Sequence, residues 1–255
     1  PADRALINRM GLNNDGAEAI VRRMPARSRR SIPVGVNIVK THREGLLGSD
    51  ALDDFCRCYQ TVAPHADYVA LNISCPNTAE GKTFEEPAFL DQLLTAIENT
   101  EVKQQPLLVK LSPPAATIID EGRYAELLTV ILSHDIDGIV AANTAADRNH
   151  LKSDTSLIQQ IGRGGLSGRP IAARSTSLIR FLFRKTGGRL PIIGVGGIDS
   201  ADEAFRKIRA GASLVQLYTG LVYEGPGLVK EIVRGLARHL DRAGKNLNEI
   251  VGEDA

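Results

Sequence analysis

YVALNISCPNT, residues 68–78, is the stretch on which the fold turns. Tyr68 to Leu71 form a short apolar run, and the chain then passes through Asn72, Ser74, Cys75 and Asn77, with Pro76 fixing the turn. A run this short between turn signals reads as a strand covered on both faces. A strand that finishes on amides and a thiol can deliver them to one site, although a plain exit into a loop is the commoner fate of such residues.

Working outward, five more runs share this form: VGVNIV (34–39), LLVKLS (107–112), GIVAANT (138–144), IIGVGG (192–197) and LVQLYTG (214–220). Each is followed by a stretch of helical period, the pattern of βα units feeding a parallel sheet. Leu52, Phe55, Cys56, Tyr59 and Val62 share one helical face, with Cys56 inward. Leu90, Leu93, Leu94 and Ile97 share another, and Tyr124, Leu127, Leu128, Ile131 and Leu132 a third. Ser200 and Glu203 have the spacing of a capping box ahead of Ala204, Phe205 and Ile208. A final amphipathic helix is expected from about Leu228 to Leu240.

The prediction is an α/β chain of the (β/α)8, or TIM-barrel, type. Only six strands are legible, because the first thirty-odd residues offer turns and one helix but no strand. The first two strands of the barrel are therefore expected upstream, and PADRALINRM, which opens without an initiator methionine, is read as part of a longer polypeptide. Residues 1–255 are taken as the C-terminal three-quarters of one domain. The connection from about Ala145 to Arg174 is longer than an ordinary loop, which points to function.

Composition bounds the partners. The chain has 255 residues, 43% apolar and 24% charged, as expected of a globular protein. Thirty-one basic residues balance thirty acidic ones, so no broad field draws nucleic acid or an anionic membrane. The densest basic segment, RRMPARSRR (22–30), reads as a solvated helix end and loop. Cys56, Cys58 and Cys75 lack C-x-x-C spacing, which argues against a disulfide framework and a zinc site. No run approaches the length of a membrane span or has the form of a signal peptide. His42, His65, His134, His150 and His239 have no motif around them and are read as surface residues.

In barrels the chemistry stands at the C-terminal ends of the strands. Asn37, Asn72, Cys75, Lys110, Asn143, Thr144, Tyr218 and Thr219 fall in or just after the six runs. Lys110 is the costliest, an ammonium among Leu107, Leu108, Val109 and Leu111 that must reach solvent or an anion. GVGGIDSADEA (194–204) sets glycines between a strand and a capped helix, a form suited to phosphate, and GRGGLSGRP (162–170) adds a second glycine-rich loop. Cys75 is a candidate base or nucleophile where its surroundings lower the pKa. A barrel lyase or isomerase that binds phosphate without a flavin remains open at this point.

Taken together, INRMGLNNDG (7–16), VGVNI (34–38), NISCPNT (72–78), LVKLSP (108–113), GGLSGRP (164–170), PIIGVGGIDS (191–200) and AGASLVQLYTG (210–220) resemble the dihydroorotate dehydrogenases, the FMN enzymes of pyrimidine biosynthesis. The resemblance implies a barrel with FMN at its mouth that oxidises dihydroorotate to orotate. Asn8, Arg9, Met10, Gly11 and Leu12 would form a loop over the substrate, with Asn72, Asn77, Asn143 and Thr144 binding its ring or carboxylate. Asn37, Asn72, Lys110, Gly168, Gly197, Tyr218 and Thr219 would hold FMN, with Lys110 beside the pyrimidine edge of the flavin and the last three near the phosphate. Cys75 would be the base that takes the C5 proton. The quinone-using branch is favoured, with membrane contact only through an upstream segment and a peripheral position on the cytoplasmic side of the cell membrane. Three departures from the expected pattern matter. The quinone branch normally has serine at the base position and GLR after PNT, where this chain has Cys75 and AEGKTF (79–84). It has phenylalanine at the position of Leu12, where the soluble branch has leucine. Ala142 stands where threonine is usual in the family, which removes one hydroxyl contact to FMN. The alternative is the soluble, cytoplasmic branch, which uses fumarate or NAD.

Overall fold

The computed structural model describes residues 2–74, 83–100, 102, 105–149 and 151–255. The first elements in chain order are β1 (Ala5–Asn8), α1 (Ala17–Arg23), β2 (Gly35–Ile38), α2 (Gly48–Val62), β3 (Tyr68–Asn72), α3 (Pro87–Glu98), β4 (Leu107–Leu111) and α4 (Glu121–Ser133). They are followed by β5 (Gly138–Ala141), α5 (Thr155–Ile161), β6 (Gly165–Gly168), α6 (Ala172–Thr186), β7 (Ile192–Val195), α7 (Ala201–Arg209), β8 (Leu214–Gln216), α8 (Thr219–Glu224), α9 (Leu228–Ala243) and α10 (Leu247–Ile250). The chain divides into two compact units, one of residues 10–111 and 122–138, the other of residues 1–9, 112–121 and 139–255.

In the first unit β2, β3 and β4 run parallel, with Asn37 opposite Ala70 and Asn72 opposite Lys110. Side chains alternate across a strand, so Asn37, Ala70, Asn72, Leu108 and Lys110 share one face. Leu71, Leu107, Val109 and Leu111 occupy the other and are fully buried. The helices bury the expected stripes: Phe55, Tyr59 and Val62 on α2, Leu90 to Ile97 on α3, and Tyr124 to Ile131 on α4. Three positions depart from expectation. Leu132 is exposed, and Leu52 and Cys56 are only half-buried because the buried stripe of α2 runs through Ala51, Phe55, Tyr59 and Val62. One device recurs at the strand entrances. Asp67 accepts from Val34 N at 2.8 Å and from the Arg30 guanidinium at 2.9 Å, and Asp137 accepts from Leu107 N at 2.8 Å. A buried backbone donor thus finds a carboxylate at both places. Arg30 is spent on this contact, which makes the end of the basic segment structural.

In the second unit β5, β7 and β8 are parallel, whereas β1 and β6 pair antiparallel, Ala5 with Gly168 through Asn8 with Gly165. β1 corrects the expectation of a strandless start. Its four residues, ALIN, are too few to show a period, and its partner GLSG is half glycine, so neither carries the β-branched signal. The connection from 145 to 174 is accordingly not irregular: it contains α5, capped by Asp154, and β6. Ala145, Leu166 and Ile171 form a small core with Ala5, Ile7 and Leu151 against it. Ser200 accepts from Glu203 N and caps α7 as expected, and α7 packs with α9 through Ile198, Ala204, Leu228 and Ile232. α9 extends to Ala243 and a short α10 follows it, so the chain does not end on the amphipathic helix.

Candidate functional site

Unit by unit, the strand ends bring the expected polar groups together. In the 10–138 unit Asn72 and Lys110 are register partners at the C-terminal ends of neighbouring parallel strands, on the same face as Asn37. Asn72 is 8% exposed, Lys110 half-buried and Asn37 exposed. Ser74, fully buried, donates to Lys110 O at 2.8 Å and lies 3.4 Å from Asn72 Oδ1. It ties the turn after β3 to the strand bearing the lysine and orients the amide. Sequence reasoning passed over it because a serine beside a strand end has no period or charge to mark it. Met10 is exposed, and Gly11 and Leu12 both have positive φ, 72° and 62°. Asn14 Nδ2 donates to Leu12 O at 2.6 Å and secures a conformation that a branched residue rarely adopts. Cys75 and Asn77 lie outside the described residues.

The other unit supplies a second group. Asn143 Oδ1 accepts from Thr144 N at 2.8 Å, and the Thr144 side chain lies over Gly165, where a Cβ would stand 2.2 Å from its hydroxyl. Asn8 ends β1 opposite that same glycine, and Arg9 Nη1 donates to Ile161 O at 2.5 Å. Gly168, Gly197 and Thr219 line one pocket together with Arg4, Arg169, Asp199 and Gly220. Close packing fixes its glycines. A Cβ on Gly168 would meet Arg4 O at 2.3 Å, and one on Gly197 would meet the Ala172 Cβ at 2.4 Å. Both also have positive φ, so only glycine fits without strain. Thr219 Oγ1 donates to Ser167 Oγ at 2.8 Å, whereas Tyr218 is 75% exposed.

Arg4 and Arg169 are the charged residues that sequence reasoning missed. Arg169 Nε contacts Asp199 at 2.9 Å, and Arg4 is paired with Glu224. Arg4 Nε is buried with no hydrogen-bond acceptor among the described residues, the Asp199 carboxylate standing 3.4 Å away. Two guanidinium groups, already paired with Asp199 and Glu224, stand beside glycine backbone in this pocket, and guanidinium and backbone N–H groups are the donors that take an oxyanion such as phosphate.

The remaining titratable groups take structural positions. Burial, then Asp54 and Glu18, push the Cys58 thiol up to about 11, and burial with Asp53 raises that of Cys56, which leaves both inert at neutral pH. Two histidines differ from the surface reading. The His134 ring is 9% exposed and lies 3.0 Å from both Asp91 and Glu98. Burial opposes its charge, but the two carboxylates outweigh that and raise its pKa. His239 lies within α9, contacts Asp202 at 2.7 Å and stacks on Phe205.

Comparison with known proteins identifies the family. The family model described as dihydroorotate dehydrogenase matches residues 1–240. A "Dihydroorotate dehydrogenase (quinone)" of Synechocystis sp. is 39% identical over 264 residues, which cover 100% of this chain and 67% of that protein. One of Cyanothece sp. is 40% identical over 96% of this chain and 65% of its own length, and one of Natronomonas pharaonis 42% identical over 99% and 68%. The chain thus spans about two thirds of the length of these curated relatives. Among solved structures, DHODH from Eimeria tenella in complex with ferulenol superposes with a TM-score of 0.85 at 29% identity, covering 99% of this chain and 72% of that one. The fold class is α/β of the TIM-barrel type, and neither the soluble branch nor a flavin-free lyase or isomerase is favoured by these likenesses. The family model over most of the chain, together with these relatives, shows that the chain belongs to the dihydroorotate dehydrogenase family.

Proposed function

We propose that the protein oxidises dihydroorotate to orotate, with FMN as its cofactor and a quinone as electron acceptor, and that residues 1–255 belong to a single FMN-binding domain. The observation that carries this reading is the pairing of Asn72 with Lys110 at adjacent strand ends, an amide and a half-buried lysine on one face, with Ser74 bonded to the lysine's backbone carbonyl. A neutral donor and a fixed positive charge suit a ring system that becomes anionic on reduction. The residues present also fit the phosphate end of the cofactor, because Gly168, Gly197 and Thr219 share a pocket with the unsatisfied Arg4 Nε.

When bound, FMN supplies a two-electron acceptor for the substrate. The chain's own residues do the rest. Asn37, Asn72 and Lys110 hold the polar edge of the cofactor, while Gly168, Gly197, Tyr218 and Thr219 hold its phosphate end. Asn72, Asn77, Asn143 and Thr144 bind the orotate ring and carboxylate, and the segment Asn8, Arg9, Met10, Gly11 and Leu12 covers the substrate and excludes water. Cys75 accepts the proton released from C5 as hydride departs from C6. No helix among the described residues is long and apolar enough to cross a membrane. A peripheral position on the cytoplasmic side of the cell membrane, through a segment upstream of this sequence, accords with quinone use.

A second reading, electron transfer to fumarate or NAD, draws on Cys75 and Leu12, the two positions that resemble the soluble branch. The complete enzyme is expected to purify yellow and to reduce a water-soluble quinone analogue with dihydroorotate as donor. Turnover with fumarate or NAD but not the quinone would transfer the protein to the second reading, and a colourless enzyme that takes up no FMN would overturn both.

A further inference from the structure

Lys207 is the one charged side chain among the largest fully buried ones in the described residues, with 0% exposure, and the reading above gives it no task. Its ammonium donates to Ala172 O at 3.2 Å, Ser175 Oγ at 3.3 Å and Thr176 Oγ1 at 3.1 Å, all in the first turn of α6. That turn backs the pocket. Ala172 packs on Gly197, Ile171 and Ser175 crowd Gly196, and Gly168 and Arg169 lead from the pocket into α6. Ser175 also donates to Val195 O, at the end of β7, and to Ala141 O at 3.3 Å. The ammonium therefore joins the start of α6 to the strand end that presents the glycine turn.

The position is electrostatically odd. A helix start is the positive end of its dipole and disfavours a cation, and α6 has no side-chain cap to offset this. The charged groups that act on Lys207 are Glu203, 4.0 Å away, and Arg206, both on its own helix. α6 turns two hydroxyls and a carbonyl towards it, and β7 turns Gly194. Burial first, then Arg206, lower its pKa to about 8 against the pull of Glu203. A cation at the wrong end of a helix, partly compensated, is stabilised when an anion binds in front of that helix.

Resting on the reading of the pocket as the FMN phosphate site, we propose that Lys207 is a positioning residue for the phosphate: from behind Gly197 it holds the first turn of α6 in register with the glycine turn and lends the pocket positive charge without touching the ligand. Affinity for FMN then depends on Lys207 being protonated. Linkage sets the sign: binding weakens as pH rises through about 8 and the lysine loses its proton, while between pH 7 and 9 the phosphate, with a second pKa of about 6, stays predominantly dianionic.

The test compares FMN with riboflavin, which lacks the phosphate, by fluorescence titration of the complete apoenzyme and its Lys207→Met variant. Lys207→Met is expected to weaken FMN binding about tenfold, within the range of ordinary coupling energies, and to leave riboflavin binding within about twofold. Wild-type FMN affinity is expected to fall between pH 7 and 9, with no such fall for riboflavin or for the variant. An equal loss for both ligands would mean a merely structural lysine, and an unchanged FMN affinity would mean no role; either overturns the proposal. Should Lys207→Met fail to fold, the wild-type pH comparison decides alone, and parallel curves for the two ligands overturn it. An enzyme that binds neither flavin fails earlier, at the functional reading itself, and takes this inference with it.

Discussion

At the scale of single residues, charge and chemistry concentrate in a few side chains. Lys110 shares a face with Asn72 and Leu108 and is half-buried, so its charge is partly withdrawn from solvent. Lys110→Met keeps the stem and removes the charge. It is expected to lower turnover of dihydroorotate by about a hundredfold or more, the size typical of one lost electrostatic donor, with little change in melting temperature. Steady-state kinetics beside a thermal melt checks this, and a variant of normal rate would remove the lysine from the site. Cys75 makes a separate prediction. A thiol with an ordinary pKa of about 8.5 reaches its anion near neutrality with modest help, whereas a serine needs a proton relay. The enzyme should therefore retain at pH 6 a larger fraction of its pH 8 rate than its Cys75→Ser variant does, and superimposable profiles would count against Cys75 as the base. Sequence marked these two residues because each interrupts an apolar run. Ser74, Arg4 and Lys207 escaped it because their importance comes from partners distant in the chain: Lys110 for Ser74, Asp199 for Arg4, and the start of α6 for Lys207.

At the scale of elements, β3, β4 and β5 and the three helical stripes were readable because apolar runs and helical period coincide with burial there, whereas β2 and β8 were readable from their apolar letters although β8 is largely exposed. β1 and β6 were not, since four residues cannot display a period and glycine has no side chain to bury. Two element contacts make predictions. Gly235 lies in α9, where alanine would ordinarily favour the helix by up to about 1 kcal/mol. A Cβ there would stand 2.1 Å from the Ala201 Cβ at the start of α7, an overlap typically costing about 1–3 kcal/mol. The clash wins, and Gly235→Ala is expected to lower the melting temperature. His134 joins the end of α3 to α4 through Asp91 and Glu98, both partly exposed. Because its folded pKa is raised, its contribution, about 1 kcal/mol or less for so exposed a pair, is complete below the unfolded value of about 6.5 and disappears as pH rises through the folded pKa. Urea midpoints measured from pH 5.5 to 8.5 should show this decline in the wild type and lose it in His134→Gln.

At the scale of the whole molecule, the two units differ in how the chain builds them. One occupies residues 10–111 and 122–138 and so is nearly continuous, while the other gathers residues 1–9, 112–121 and 139–255. β1 has its partner in β6, far along the chain, so that Ala5 waits for Gly168. On a ribosome adding 5–20 residues per second, roughly 10–30 s pass between the two. During that interval β1 is a short apolar strand without its partner, its amides unpaired, a target for chaperones or proteases. Nascent chains stalled before residue 160 should be nicked near ALIN by added protease, whereas chains extended far enough to expose β6 should resist; equal cleavage at both lengths would show that the pairing offers no such protection.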